Sequence, residues 1–341
     1  MAPANQPSDA DGTDAEEVRK PSFLVAGAGA VGSALGGMLR LAGHEVALLG
    51  RNRAHMEAVR AAGLRLTGIW GEHVATGFRV VEDAGDLAGP DAIDYVMVTT
   101  KSFDTEALLD RIAPVLPGAQ FVSVQNGLGN IEAIRARVGP ERTIGGMIII
   151  GFSIPAPGRV AVTVYGGEVI LGRPDAERSR PADAAVSRLA EVFTRAGVPA
   201  RTTDNVAAAV WGKVLYNCAL NALGAVLDAP YGELAAAPTW DAIGDLVREA
   251  FAVARAEGVR LPWESAEGYI DLLAARQLPD TAAHRASMLQ DIKRGRRTEI
   301  EHMNGAIARL GAARGVPTPV NSAVAALVRF LEARARKGAG A

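Results

Sequence analysis

Three polar side chains recur at intervals of four residues in an otherwise apolar stretch of the chain. They are Lys213, Asn217 and Asn221, with valine, leucine, alanine and tryptophan around them. On an α-helix this spacing puts all three on one stripe. A buried amine or amide is costly without a hydrogen-bonding partner, and a polar substrate would be such a partner. A solvated helix face with internal hydrogen bonds accounts for the spacing about as well.

Two further polar residues follow apolar runs that have the pattern of buried strands. Lys101 follows residues 95–100, and Asn126 follows residues 121–125. In an open parallel sheet, ligands bind beyond the carboxyl ends of the strands, so both side chains are expected to face one crevice. Each of them could equally be a loop residue without a role.

Ser287 and Glu299 lie in polar segments of the second half of the chain. Thr298-x-x-Glu301 fits a capping box, which predicts a helix that begins at Thr298. Glu299 then falls in the first helical turn, where a carboxylate is often only a favourable partner for the helix dipole. By position alone, Ser287 is an ordinary surface or capping serine.

A glycine-rich turn near the N-terminus fits the pattern G-x-G-x-x-G. Its residues are Gly27, Ala28, Gly29, Ala30, Val31 and Gly32. An apolar run precedes it and a helical pattern follows, which is the context of a dinucleotide-binding turn. The first glycine would permit the tight turn, the second would let the backbone approach a pyrophosphate, and the third would let helix and strand pack closely. The helix N-terminus would attract the phosphates. A tight turn without a ligand is the less favoured alternative.

The residues after the second predicted strand indicate which dinucleotide is bound. NAD-binding proteins usually place Asp or Glu there to bond the ribose 2′-hydroxyl group. This chain has Arg51 and Arg53 and no acid at that point. Because a guanidinium can bind a 2′-phosphate through two hydrogen bonds, we predict NADP(H), with Arg51 as the first candidate. A pair of solvated surface arginines is the alternative.

The order of the predicted elements indicates the fold class. Short apolar runs alternate with helical patterns up to about residue 203, which is typical of βαβ units in a mostly parallel sheet. Residues 160–164 alternate and could form an antiparallel edge strand. Long helical patterns follow. We predict an α/β protein with a disordered tail at 1–20, a Rossmann-type NADP-binding domain at 21–203 and an all-α substrate and catalytic domain at 204–335.

The composition limits the classes of partner. The 341 residues are 49% hydrophobic with a formal net charge of −2, so there is no basic footprint for nucleic acid. The single cysteine, Cys218, excludes an internal disulfide framework, and no histidine cluster suggests a metal. No apolar run of membrane-spanning length and no signal peptide are recognisable. We expect a cytoplasmic protein without metal, nucleic acid or membrane partners, whose apolar helices could form a homodimer face.

Several motifs, in one order, resemble those of the ketopantoate reductase (2-dehydropantoate 2-reductase) family. They are the glycine turn, Val98-Thr99-Thr100-Lys101, Gln125-Asn126-Gly127, Lys213-x-x-x-Asn217-x-x-x-Asn221, Ser287-Met288-Leu289-Gln290-Asp291 and Thr298-Glu299-Ile300. The resemblance extends from about Pro21 to about Phe330. It implies NADPH-dependent reduction of the 2-keto acid 2-dehydropantoate to (R)-pantoate, a step toward pantothenate and coenzyme A.

The resemblance also implies roles for single side chains. Lys213 would be the general acid, and Glu299 would position this lysine and the substrate. Asn217, Asn221 and Ser287 would bind the carboxylate and hydroxyl groups of the substrate.

Three further residues would serve the cofactor by the same resemblance. Lys101 and Asn126 would lie at the nicotinamide end, where Asn126 would also meet the substrate, and Arg51 would bind the 2′-phosphate. Hydride addition to a ketone builds negative charge on its oxygen, which a nearby ammonium group stabilises and then protonates. A neighbouring carboxylate would raise the pKa of Lys213 and burial would lower it, and the sequence leaves that balance open.

Two alternatives remain open at the level of sequence. A lysine and an asparagine four residues apart also occur in β-hydroxyacid dehydrogenases, so a related NADP-dependent enzyme could act on another 2-keto or 2-hydroxy acid. Ser287 and Glu299, with their flanking motifs, favour ketopantoate. A non-catalytic NADP sensor is the other alternative, but a sensor has no evident need for a proton donor such as Lys213.

Overall fold

The computed structural model describes residues 19–87, 93–174 and 183–339. The predicted disordered tail falls largely on residues 1–18, which lie outside the described residues. Arg19 and Lys20, at the end of that segment, contact the folded chain through the Asp94 carboxylate and the Ala42 carbonyl oxygen.

The strands of these ranges form two sheets. They are β1 Phe23–Ala26, β2 Val46–Leu49, β3 Leu64–Gly68, β4 His73–Ala75, β5 Arg79–Val81, β6 Tyr95–Val98, β7 Gln120–Ser123, β8 Thr143–Met147, β9 Ile150–Ala156, β10 Arg159–Tyr165, β11 Val169–Gly172 and β12 Ala200–Thr202. The larger sheet has the order β12-β11-β8-β7-β6-β1-β2-β5, and only its β8–β11 pairing is antiparallel. The six strands from β5 to β8 have the order of a dinucleotide-binding sheet, which confirms the predicted Rossmann-type fold.

The helices lie on both faces of this sheet and in the second half of the chain. They are α1 Ala30–Leu41, α2 Arg53–Ala62, α3 Thr105–Ile112, α4 Asn130–Val138, α5 Ala184–Arg195, α6 Val206–Tyr216, α7 Ala222–Leu227, α8 Thr239–Ala256, α9 Ala266–Leu272, α10 Leu278–Asp280, α11 Ser287–Lys293, α12 Asn304–Arg314 and α13 Pro319–Ala339. From α6 onward they pack around a separate apolar core that includes Leu215, Leu246, Tyr269 and Val328. The helical half therefore has its own hydrophobic interior.

The smaller sheet has the order β4-β3-β10-β9 and packs against α1. The antiparallel pairing expected for residues 160–164 is confirmed, because β10 pairs with β9 in that sense. The expected edge position is wrong, since β10 also pairs in parallel with β3.

The predicted helix 206–221 is longer than expected and contains a π-helical turn. Asn217–Asn221 forms this turn between α6 and α7, so that Val206–Leu227 is one continuous helix. Its length and mean hydropathy of 1.2 would suffice for a membrane span, but 61% of its most apolar window is buried inside the protein. It is the core helix of the second half.

Gly127 lies where a loop after β7 meets the helical half. Its φ is 82°, and a Cβ atom there would overlap the carbonyl oxygen of His302. The neighbouring Leu128 donates its N–H to that oxygen at 2.8 Å and accepts from His302 Nδ1 at 2.9 Å. Only glycine allows this close approach of the two backbones.

We expect Gly127→Ala to lower the free energy of unfolding by about 2 kcal/mol or more, because it adds backbone strain and a steric overlap. Denaturant unfolding followed by circular dichroism measures the change. Gly118→Ala is the control, since a Cβ atom there has no neighbour within 4 Å. Equal losses in the two variants would contradict the role given to Gly127.

Candidate active site

The glycine turn connects β1 to α1 and leaves one side open. A Cβ atom on Gly27, whose φ is 121°, would lie 2.5 Å from the backbone nitrogen of Thr100. A Cβ atom on Gly32 would overlap the carbonyl oxygen of Gly27, so packing requires glycine at both positions. At Gly29 the nearest atom would be 4.0 Å away. Here the backbone faces open space.

The N-terminus of α1 points its free N–H groups toward that space. Gly29 is its N-cap, no side chain caps the helix, and its first turn holds no acid. The partial positive charge of the helix is therefore not neutralised locally, which suits a pyrophosphate. This observation supports the predicted binding segment from Gly27 to Gly32.

Four neighbouring strands end along one edge of the main sheet. Parallel pairing aligns the carboxyl ends of β1, β6, β7 and β8, so the glycine turn, Lys101, Asn126 and Ile148 follow one another along this edge. With a strand spacing of about 4.8 Å, β1 and β8 lie about 14 Å apart. The edge is wide enough for an extended ligand.

Lys213 of α6 reaches this edge from the helical half. Its Nζ donates a hydrogen bond to the Ile148 carbonyl oxygen at 2.5 Å. Burial lowers the pKa of Lys213 to about 8, although the negative charge of Glu299 raises it. The balance that the sequence left open is thus decided by burial, and the amine can change its charge near neutral pH.

A buried carboxylate, Glu299, joins the two halves beside Lys213. It accepts hydrogen bonds from Ser102 N at 3.0 Å, from Ser102 Oγ at 2.9 Å and from Lys101 Nζ at 3.2 Å. Lys101 Nζ also donates to the buried Asp291 at 2.7 Å. Burial lowers the pKa of Lys101, but Glu299 and Asp291 together raise it above its ordinary value. We call these four residues the Glu299 cluster.

The helix start predicted at Thr298 is wrong. Thr298 N and Oγ1 donate to Glu332 of α13, and Glu301 binds Arg329 at 2.6 Å instead of closing a capping box. A short 3₁₀ helix covers Ile300–His302, and α12 begins only at Asn304. These acids have partners far away in the sequence, which local spacing could not indicate. Glu299 therefore contacts Lys101 and Ser102 of the sheet half and is not a simple dipole partner.

The structure places the remaining predicted substrate residues around the π-helical turn. Asn221 Nδ2 donates to Ser287 Oγ at 3.1 Å, and Asn221 Oδ1 accepts from Met288 N at 3.2 Å. Asn217 is buried, and its Nδ2 has no hydrogen-bond partner among the described residues. An unpaired buried donor is costly, so this amide is suited to an oxygen of a ligand.

Asn126 contributes its backbone to the same region. Its carbonyl oxygen accepts from Ser102 Oγ at 2.9 Å and from Asn130 Nδ2 at 2.9 Å. Ser102 therefore links the end of β6, the end of β7 and Glu299. No role was predicted for Ser102 or Asp291 from the sequence, although Ser102 directly follows Lys101 and Asp291 ends the segment that begins at Ser287.

Arg51 and Arg53 lie at the end of β2, on the far side of the glycine turn from Lys213. The exposed guanidinium of Arg51 forms an ion pair with Asp104 through both of its terminal nitrogens. Arg53 is the first residue of α2, which Asn52 caps by accepting from His55 N at 3.2 Å. Both arginines are exposed. Within the described ranges, no group of three or more potential metal ligands occurs.

The sheet order, the open glycine turn and the helical second half define a nucleotide-binding protein of the Rossmann class. Residues 23–176 match the ketopantoate reductase PanE/ApbA family, and residues 205–332 match the C-terminal part of the same family. The chain belongs to the ketopantoate reductase family, as its motifs predicted.

Relatives cover nearly the whole chain. It is 37% identical to the 2-dehydropantoate 2-reductase of Aquifex aeolicus (strain VF5) over 91% of this chain and 96% of that protein. A PanE/ApbA family ketopantoate reductase from Ralstonia eutropha JMP134 has a TM-score of 0.81 at 34% identity, with 92% and 99% of the two chains covered. D-mandelate dehydrogenase, solved with NADH and anilino(oxo)acetate, has a TM-score of 0.81 at 27% identity, with the same coverage.

We expect Lys101→Met to lower the free energy of unfolding by about 2 kcal/mol at pH 7.5, because two buried carboxylates lose their shared cation. Denaturant titrations of the unchanged chain and the variant at pH 7.5 measure the loss. Lys293→Met is the matched control, since Lys293 pairs with the exposed Asp228 and should contribute less than about 1 kcal/mol. Equal losses in the two variants would contradict the role given to Lys101 in the Glu299 cluster.

Proposed function

We propose that this chain catalyses the NADPH-dependent reduction of 2-dehydropantoate to (R)-pantoate. The observation that carries the proposal is the position of Lys213 Nζ, 2.5 Å from the Ile148 carbonyl oxygen, on the sheet edge that begins with the glycine turn. An ammonium group and a dinucleotide-binding turn at one edge are what a carbonyl reductase requires. Membership of the ketopantoate reductase family indicates a nicotinamide cofactor and a 2-keto acid substrate.

The residues of the first half fit a dinucleotide. The backbone of residues 27–32 would hold the pyrophosphate, since the space beside Gly29 is open. Arg51 and Arg53 would meet the 2′-phosphate, and Lys101 and Asn126 would lie toward the nicotinamide. The bound nicotinamide supplies the hydride for the C2 ketone. We assign the dinucleotide to residues 21–203 and the substrate and catalytic groups to residues 204–335.

Lys213 would act as the general acid. As negative charge develops on the ketone oxygen, the ammonium group stabilises it and then donates a proton. A lysine with an ordinary pKa gives up its proton reluctantly near neutral pH, whereas burial lowers the pKa of Lys213 to about 8. Glu299, at the same site, favours the charged form before the reaction.

The carboxylate and hydroxyl groups of the substrate would be bound by the residues around the π-helical turn. The unpaired Nδ2 of Asn217 is suited to a substrate oxygen. Ser287 is exposed and held by Asn221, so its hydroxyl group is available to a second oxygen. Together with Asn126 these groups would orient the keto acid beneath Lys213.

A second candidate function is the reduction of a different 2-keto acid. The structural similarity to D-mandelate dehydrogenase favours it, because that protein has the same overall fold at 27% identity.

We also propose a homodimer and a cytoplasmic location. The exposed Leu327 and Phe330 on α13 offer an apolar surface for such a dimer.

NADPH absorbance with ketopantoate and a panel of 2-keto acids tests the function. We expect a kcat/KM with ketopantoate of about 10⁴ M⁻¹s⁻¹ or more, and far lower values with aromatic keto acids. Turnover only with another acid would replace the substrate assignment. Tight NADPH binding without turnover of any acid would leave the sensor alternative.

Lys213→Ala should lower kcat by a factor of about 10² to 10⁴, while NADPH binding changes little, because only proton donation is lost. In the unchanged chain, kcat for reduction should fall as the pH rises through about 8, since the donor must carry its proton. Stopped-flow and steady-state kinetics from pH 6 to 10 measure both. Lys213→Arg should keep the positive charge, but its kcat should no longer fall as the pH rises through about 8. The same fall of kcat near pH 8 in either variant would exclude Lys213 as the acid.

A further inference from the structure

Arg51 and Asp104 form an ion pair in front of the glycine turn. Arg51 follows β2, and Asp104 ends a short 3₁₀ helix, Ser102–Asp104, that follows β6. Because β1 lies between β2 and β6 in the sheet, the two side chains meet across the end of β1. The pair thus stands at the adenosine end of the proposed cofactor site.

We propose that Asp104 sets the choice between NADPH and NADH by competing with the 2′-phosphate for Arg51, so that the chain binds NADH within about tenfold of NADPH. The inference rests on the proposed function, because it concerns the same dinucleotide. An acid that selects the cofactor was expected only at the end of β2. In the structure, Asp104 follows β6 but contacts Arg51 at the end of β2.

The ion pair with Asp104 occupies both terminal nitrogens of Arg51, which a phosphate would also need. Arg51 NH1 donates to Asp104 Oδ1 at 3.2 Å, and NH2 donates to Oδ2. A 2′-phosphate binds arginine through the same type of paired donors. Phosphate must therefore displace the carboxylate or share one guanidinium with it, and two anions so close repel each other.

The more buried partner of the pair is the acid. The side chain of Asp104 is 23% exposed and that of Arg51 is 79% exposed, so Arg51 has more freedom to move away. The carboxylate would then remain beside the ribose. A 2′-hydroxyl group can donate a hydrogen bond to it, as it does to the acid of NAD-binding proteins, whereas a 2′-phosphate cannot.

Arg53 explains why NADPH keeps an advantage. It is exposed at the start of α2, and it forms no ion pair with any residue of the described ranges. A second cation without a competing carboxylate stays available to the 2′-phosphate. Asp104 should therefore reduce the preference for NADPH without reversing it.

Asp104→Asn tests the inference by binding alone. Calorimetry would measure NADPH, NADH, adenosine 2′,5′-bisphosphate and 5′-AMP on the full chain. We expect about tenfold tighter binding of NADPH and of the bisphosphate, with NADH and 5′-AMP unchanged or weaker. Asp110→Asn is the matched control, because Asp110 pairs with Arg137 at 2.7 Å on the outer part of α3 and should leave every affinity within twofold.

Arg51→Ala supplies the second comparison. The effect of Asp104→Asn on the affinity for NADPH should disappear when Arg51 is already alanine, because the guanidinium for which Asp104 and the 2′-phosphate compete is then absent. The ratio of the affinities for NADPH and NADH could stay within twofold of that of the unchanged chain in both Asp104→Asn and Asp104→Ser. That result would overturn the inference. So would an undiminished effect in the Arg51→Ala background. Failure of the unchanged chain to bind either dinucleotide would instead overturn the proposed function itself.

Discussion

A buried carboxylate fixes the relation between the two halves of this protein. Glu299 comes from the helical half, and its partners Lys101 and Ser102 come from the sheet half. A carboxylate removed from water needs such donors, since its desolvation is otherwise uncompensated. The donors are in reach only when the halves lie against each other as they do here. The position of Lys213 at the edge of the main sheet depends on this contact.

The same contact explains how Lys213 can keep a low pKa next to an acid. The oxygens of Glu299 are hydrogen-bonded by Ser102 and Lys101, so Glu299 acts on Lys213 only through space. Burial of the amine then outweighs the attraction. Lys101, which has direct contacts with two carboxylates, shows the opposite balance and has a raised pKa. Two lysines at one edge thus differ in acidity because their neighbours differ.

The parts of the site that the sequence predicted are those encoded by local patterns. The glycine turn, the strand ends that present Lys101 and Asn126, and the apolar helix with Lys213 each depend on neighbours in the chain. Ser102 and Glu299 are separated by 197 residues, and no periodicity connects them. The capping-box prediction at Thr298 failed for the same reason, because Glu332 of another helix provides the acceptor. Asp104 was missed because it follows β6, whereas its partner Arg51 follows β2 and lies 53 residues earlier in the chain.

The π-helical turn at Asn217–Asn221 has a consequence for how this fold can diversify. A π turn contains one residue more than an α turn, and each residue rotates a helix by about 100°. Deleting that residue would restore a regular helix, but it would swing α7 and its packing partners α11 and α13 around the axis of α6. The side chains around the π-helical turn can therefore be exchanged. Changes in the length of this helix are blocked by the hydrophobic interior of the helical half.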